Sequence, residues 1–276
     1  MPTPDIFDDI IALLEQHKAR GDQAVYLTPA NRDAFFRERD AAATEVMTKP
    51  SPKVAKAAVA NASRRPIPAQ PDRGGPPVSQ KVEPLTWEQL TTQLPTCTRC
   101  PLHLSRTQVV IGEGSLDARL MFIGEGPGHQ EDQSGRPFVG PAGQLLTKMI
   151  KAMQFEREDV YIANIVKCRP PGNRNPTDEE AATCLPYLIR QIQLVKPEYI
   201  VLLGAVPLQQ LLHRQGIMKT RGQWLEFEGI PVMPTFHPSF LLRSPRSKKD
   251  VWEDLQLVMC KLGLDPADTL RKNGGR

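Results

Sequence analysis

Apolar residues are arranged differently in three parts of the chain. Residues 5–18 place Ile6, Ile10, Ile11, Leu13 and Leu14 at roughly helical spacing, which predicts an amphipathic helix. A second short helical pattern follows Asn31, through Ala34, Phe35 and Phe36. From 47 to 84 the pattern lapses. Eight prolines, many alanines and seven Lys/Arg against two Asp/Glu leave too little apolar surface to form a core, so this stretch reads as a disordered basic linker. From residue 85 the pattern is that of a folded domain. Short apolar runs at 119–125, 160–164, 198–204, 223–227 and 231–235 predict strands. Helical patterns at 140–154, 177–195, 206–213 and 248–262 alternate with most of them. In the first of these Leu145, Leu146, Met149 and Ile150 share a face. The second starts at Thr177, an N-cap followed by Asp178, Glu179 and Glu180 in the first turn. Strands alternating with helices predict an α/β fold, with a mainly parallel central sheet and helices on both faces. The chain then divides into a helical N-terminal segment at 1–46, the linker at 47–84, the α/β domain at 85–265 and a flexible tail at 266–276. In such sheets the active site lies at the carboxyl ends of the strands. The loops 125–138, 164–176 and 236–247 all fall there.

Composition narrows the setting. With 276 residues, 40% of them hydrophobic and 24% charged, the chain has enough apolar material for one large domain and an appendage. No apolar run is long enough to span a bilayer, and the N-terminus lacks the basic-then-apolar order of a signal peptide. A net charge of +4 is compatible with nucleic acid without arguing for it. Five cysteines, an odd and sparse set, do not suit a secreted disulfide framework; a cytoplasmic protein is expected. Cys260, late in a helical pattern, reads as a buried core thiol.

Four cysteines carry the candidate chemistry. Cys97 and Cys100 form a C-x-x-C, and Cys168 and Cys184 flank a loop rich in Pro, Gly and Asn. Four soft thiolates hold zinc or an iron–sulfur cluster; two redox pairs or scattered core thiols are the plainer reading. Between the pairs, residues 124–140 read GEGPGHQEDQSGRPFVG. The glycines suggest a backbone approached closely by a ligand, although neither the dinucleotide fingerprint nor the P-loop is present and a tight turn would look the same. Asn164 ends a strand and offers both a donor and an acceptor to a nucleobase edge; a turn Asn is the alternative. His237-Pro238-Ser239 ends another strand, beside Arg243, Arg246, Lys248 and Lys249, which could grip phosphates or simply face solvent.

Taken together, C-x-x-C, GEGPG, GRPFVGPAG, N-x-x-x-C-R-P-P, a later Cys and HPS closely resemble the iron–sulfur uracil-DNA glycosylases, family 4 of their superfamily. The resemblance covers roughly residues 96–262. It implies that Cys97, Cys100, Cys168 and Cys184 ligate a [4Fe–4S] cluster, with zinc as the alternative. It implies that Gly124, Gly126 and their neighbours line a uracil pocket, that Phe138 stacks on the flipped base and that Asn164 reads its Watson–Crick edge. His237 would donate to uracil O2 as the bond breaks. Ser239 and Arg243 would hold DNA, and Leu241 or Leu242 would fill the gap left by the flipped base. The substrate implied is uracil in single- or double-stranded DNA, attacked by a monomer, with no membrane involved. The best-known branch of the superfamily has an Asp where this chain has Gly126, which leaves Glu125 as a site residue of open role. Glu131 and Asp132 are the other nearby acids, which could take that role instead of Glu125 or serve as solvated loop charges or a water-mediated brace.

Two other readings fit parts of the sequence. One is a non-catalytic or cross-linking relative that binds uracil-DNA without turnover. One such branch carries an extra basic, His-containing loop before the HPS segment; here residues 219–222 run straight into Gln223-Trp224, which favours turnover. The other is a metal-stapled interaction module attached to a polymerase, suggested by the N-terminal extension, whose helix could dock a protein partner.

Overall fold

The computed structural model describes Phe7 and residues 85–264. The rest of the helix expected at 5–18, the pattern after Asn31, the linker at 47–84 and the tail at 266–276 lie outside the described residues. Phe7 is helical and fully buried, its ring edge-on to Trp252 at 6.2 Å.

The α/β pattern folds as a six-stranded sheet in the order β1-β3-β2-β4-β6-β5. The strands are β1 (Glu113–Gly114), β2 (Leu120–Gly124), β3 (Tyr161–Asn164), β4 (Tyr199–Leu203), β5 (Leu225–Phe227) and β6 (Ile230–Thr235). The four central strands are mutually parallel, whereas β1 and β5 join the two edges antiparallel. Every residue of β2 is buried, as expected of a strand covered on both faces. Side chains alternate between two cores. Leu120 and Phe122 of β2, with Val201 and Leu203 of β4, pack beneath helices α3 (Pro141–Ala152) and α8 (Lys248–Lys261). Met121, Ile123, Ile200 and Leu202 face the other way, toward α1 (Trp87–Gln93) and α4 (Asp178–Val195). Each fully buried large aliphatic or aromatic side chain contributes about 1.5–3 kcal/mol, so the two layers dominate stability.

Thr177 caps α4 as its sequence predicts. Its Oγ1 accepts from the Glu180 N–H at 3.2 Å, and the Glu180 carboxylate accepts from the Thr177 N–H at 2.8 Å. The remaining helices are α2 (His129–Ser134), α5 (Ala205–Leu212), α6 (Ile217–Thr220) and α7 (Pro238–Arg243). Helices α2 and α7 occupy stretches that the apolar pattern leaves as loops. Both are six residues long, too short for a periodic stripe. Cys260 is exposed, a correction to the buried thiol expected: α8 turns Val258 and Met259 inward and Cys260 away.

The chain passes from β2 to β3 on one side, then crosses to β4 on the other. The connections leaving β2 and β4 therefore diverge in opposite directions at the carboxyl end of β2. That divergence opens a crevice in an α/β sheet.

Candidate active site

A cavity of about 590 Å³ opens at this crevice, lined by Glu125, Phe138, Asn164, Gly204, His237 and Arg243 among others. Parallel pairing of β2 with β3 sets Gly124 beside Asn164. A Cβ on Gly124 would lie 2.4 Å from Phe138 Cζ and 2.5 Å from Asn164 Oδ1, so only glycine lets these two side chains close over the strand end. Asn164 is buried, and its Oδ1 is the one buried side-chain nitrogen or oxygen among the described residues with no hydrogen-bond partner. Leaving such an atom unpaired costs about 1–3 kcal/mol, a penalty a ligand donor would remove.

Phe138 is held over this floor by its backbone. It adopts a left-handed conformation (φ 50°), and the N–H groups of Val139 and Gly140 both donate to Glu131 Oε1 at 2.9 Å. Asp132 is buried and accepts from the Thr107 N–H at 2.8 Å. These two acids are structural braces, not solvated loop charges.

His237 sits opposite, its ring centroid 5.7 Å from that of Phe138. It also caps α7: its Nδ1 accepts from the Ser239 N–H at 3.1 Å. With Nδ1 accepting, the proton of the neutral ring is on Nε2. Burial, with Arg243 adding to it and Glu131 opposing, lowers the imidazole to about 4, so it is neutral near pH 7. Burial pushes the Glu125 carboxyl above the usual carboxylate range. The site thus offers a neutral N–H donor, an orphaned amide acceptor, an aromatic face and a carboxyl in one crevice. Gly204 was not singled out from the sequence, although it closes a predicted strand. Its φ of 99° and its closeness to His237, whose Cβ would lie 3.0 Å from a Cβ there, make it a wall of the same pocket.

Of the two leucines proposed to enter DNA, Leu241 is fully buried in the core and cannot reach the surface without unfolding α7, whereas Leu242 is exposed. Ser239 and Arg243 both line the cavity.

The four cysteines of the sequence motif line a second, small cavity together with Arg106, Lys167 and Tyr187. Cys97 follows a 3₁₀ turn (Leu94–Thr96), Cys100 precedes another (Pro101–Leu104), and Cys184 projects from α4. Burial raises the thiols of Cys100 and Cys168 and pushes Cys184 up to about 12, so without a metal they remain protonated. Arg106 Nη1 donates to Cys168 Sγ at 3.3 Å. Lys167 is buried, and its Nζ donates to the Asn164 carbonyl at 2.9 Å and to Gln191 Oε1 at 2.5 Å. Four thiols and three cationic side chains, Arg99, Arg106 and Lys167, around one small space fit an anionic, thiolate-ligated centre. A single zinc ion needs all four sulfurs about 2.3 Å from one point. Among the described residues no group of three or more His, Cys, Asp or Glu is arranged to hold one ion.

Residues 111–256 match the model of the uracil DNA glycosylase superfamily. A type-4 uracil-DNA glycosylase of Thermotoga maritima is 50% identical over 61% of this chain and 91% of its own length. One from Sulfurisphaera tokodaii is 43% identical over 62% of this chain and 82% of its own. A DNA polymerase of Bacillus phage SP01 is 32% identical over 58% of this chain and 17% of its own.

Proposed function

Because the chain belongs to the type-4 uracil-DNA glycosylases, DNA repair hydrolases that cleave the N-glycosidic bond of uracil, we propose specific roles for the residues of its crevice. The observation that carries the reading is the orphaned Asn164 Oδ1 beneath Phe138. Uracil presents an N3–H to that acceptor and an O4 to the amide N–H. Cytosine presents an acceptor and a donor in the same two places and is refused. Extruding the base from a duplex costs about a few kcal/mol, offset in part by stacking on Phe138, worth ~1–3 kcal/mol. Leu242 fills the gap in the stack, while Ser239 and Arg243 hold the flanking phosphates.

Cleavage leaves negative charge on uracil O2 and positive charge on the sugar. The neutral His237 donates from Nε2 to O2, and a preorganised donor of this kind stabilises the transition state by about 3–4 kcal/mol. Glu125, at the sugar end of the crevice, stabilises the positive charge or orients the water that adds to C1′. The products are uracil and an abasic sugar. Cys97, Cys100, Cys168 and Cys184 hold a [4Fe–4S] cluster. When bound, it would cross-link the 97–100 segment to the β3–α4 connection and so to Asn164, through Lys167. A reducing cytoplasm suits these thiolates. Among the described residues no helix is long and apolar enough to cross a membrane.

Two measurements on the purified chain test this. Metal analysis should return about four irons per chain, and single-turnover assays should release uracil from both single- and double-stranded oligonucleotides. Stoichiometric zinc without iron would remove the cluster from the account. Tight binding of uracil-DNA without release would remove the chemistry.

A further inference from the structure

The strand end that carries His237 is held by a buried polar network outside the crevice. Thr235, the last residue of β6, is fully buried, and its Oγ1 donates to Asp254 Oδ2 at 2.6 Å. Asp254, on α8, is also buried, and Arg221 closes on it with Nε to Oδ2 at 3.0 Å and Nη2 to Oδ1 at 2.8 Å. Arg221 also donates to the Asp250 carbonyl. Its guanidinium lies 5.4 Å from the ring centroid of Phe236, which in turn packs at 5.0 Å against Phe240 of α7. The next residue, Gly222, donates its N–H to the Pro234 carbonyl at 3.1 Å, and a Cβ there would lie 2.7 Å from Asp254 Oδ1. The Thr235 carbonyl accepts from the Gly204 N–H at 2.9 Å, so the same residue braces a second wall of the pocket.

We propose that Arg221, Asp254 and Thr235 form a positioning unit for His237, fixing the direction in which the chain leaves β6 and the seat of α7. The proposal rests on the reading of His237 as the O2 donor. A buried ion pair is a poor means of adding stability, because apolar side chains of the same volume do as well or better. Its distinctive property is direction: a bidentate guanidinium–carboxylate pair with a third donor holds three segments at one fixed angle. The segments held are the α6–β5 turn, the end of β6 and α8. Thr235 and Phe236 lie immediately before His237, so a small rotation at the Thr235 hydroxyl carries directly to the imidazole. A donor misplaced by about 1 Å can cost roughly a hundredfold in rate.

The test uses the iron-loaded full chain. Thr235→Val keeps the shape and removes the hydroxyl; Thr235→Ser keeps the hydroxyl. Thr235→Val should lower the single-turnover excision rate by about tenfold, with affinity for uracil-DNA and melting temperature close to those of the parent. Thr235→Ser should restore the rate. In a His237→Ala background Thr235→Val should cost little further, because the group it positions is gone. An unchanged rate in Thr235→Val, a parallel collapse of melting temperature that Thr235→Ser does not rescue, or an undiminished loss in the His237→Ala background would overturn the proposal. A parent-like rate in His237→Ala alone would instead sink the donor reading on which it rests.

Discussion

His237 does two jobs with one ring. Nδ1 caps α7 by accepting the Ser239 N–H, which leaves the proton on Nε2, toward the crevice. Burial lowers its pKa to about 4, against an ordinary value of 6.5. The sign follows from linkage: between these values the unfolded chain binds the proton and the folded chain does not. His237 therefore contributes its full share of stability above about pH 6.5, and loses it as the pH falls toward 4. In catalysis the ring is a neutral donor across the physiological range, so protonation of His237 should leave no break near pH 6.5 in the single-turnover rate. The first acid-side break belongs to Glu125, whose carboxyl burial raises above its usual range, and should vanish in Glu125→Gln. A rate that falls as the pH rises through about 6.5, and still does so in Glu125→Gln, would show that the imidazole reacts as a cation. The sequence pointed to His237 and Asn164 through their motif positions, but neither the tautomer nor the orphaned Oδ1 could be read there. Both depend on what the fold brings near.

Among the elements, the short helix α2 shapes the pocket without burying an apolar side chain. Its sequence HQEDQS has no hydrophobic stripe, which is why periodicity missed it. It holds its neighbours through carboxylates: Glu131 takes the Val139 and Gly140 N–H groups, and Asp132 takes that of Thr107. Glu131→Ala would leave two backbone donors without their acceptor and free Phe138 from its left-handed conformation. The expected result is a chain destabilised by about 1–3 kcal/mol with weaker binding of uracil-DNA and a smaller loss in the rate at saturation. A loss confined to the saturated rate would show that Glu131 acts in the chemistry instead. The longer elements were legible because their signals are redundant. Helix α4 has a cap, acids in its first turn and an apolar face that all agree. Cys260 was misread because it adjoins a buried pair, and the register of α8 alone decides which of three neighbouring residues turns outward.

At the scale of the whole molecule the crevice is a consequence of topology. β2 lies between β3 and β4, so the chain switches direction across it and leaves its carboxyl end open. Sequence alternation shows that such a sheet exists, but the strand order, and hence the place of the switch, comes only from the fold. Once that order is known, residues separated by more than a hundred positions, Glu125 and His237, line one cavity. The central claim is that this cavity accepts uracil and refuses cytosine through the Asn164 amide. The most direct measurement compares single-turnover excision of uracil and of cytosine, in matched oligonucleotides, by the parent chain and by Asn164→Asp. The substitution keeps size and removes the amide donor, so uracil O4 loses its partner while the cytosine amino group gains an acceptor. The uracil-to-cytosine ratio of rate constants should fall by roughly two orders of magnitude, with iron content and melting temperature near those of the parent. A ratio unchanged by Asn164→Asp would contradict the account, because discrimination would then arise elsewhere in the crevice.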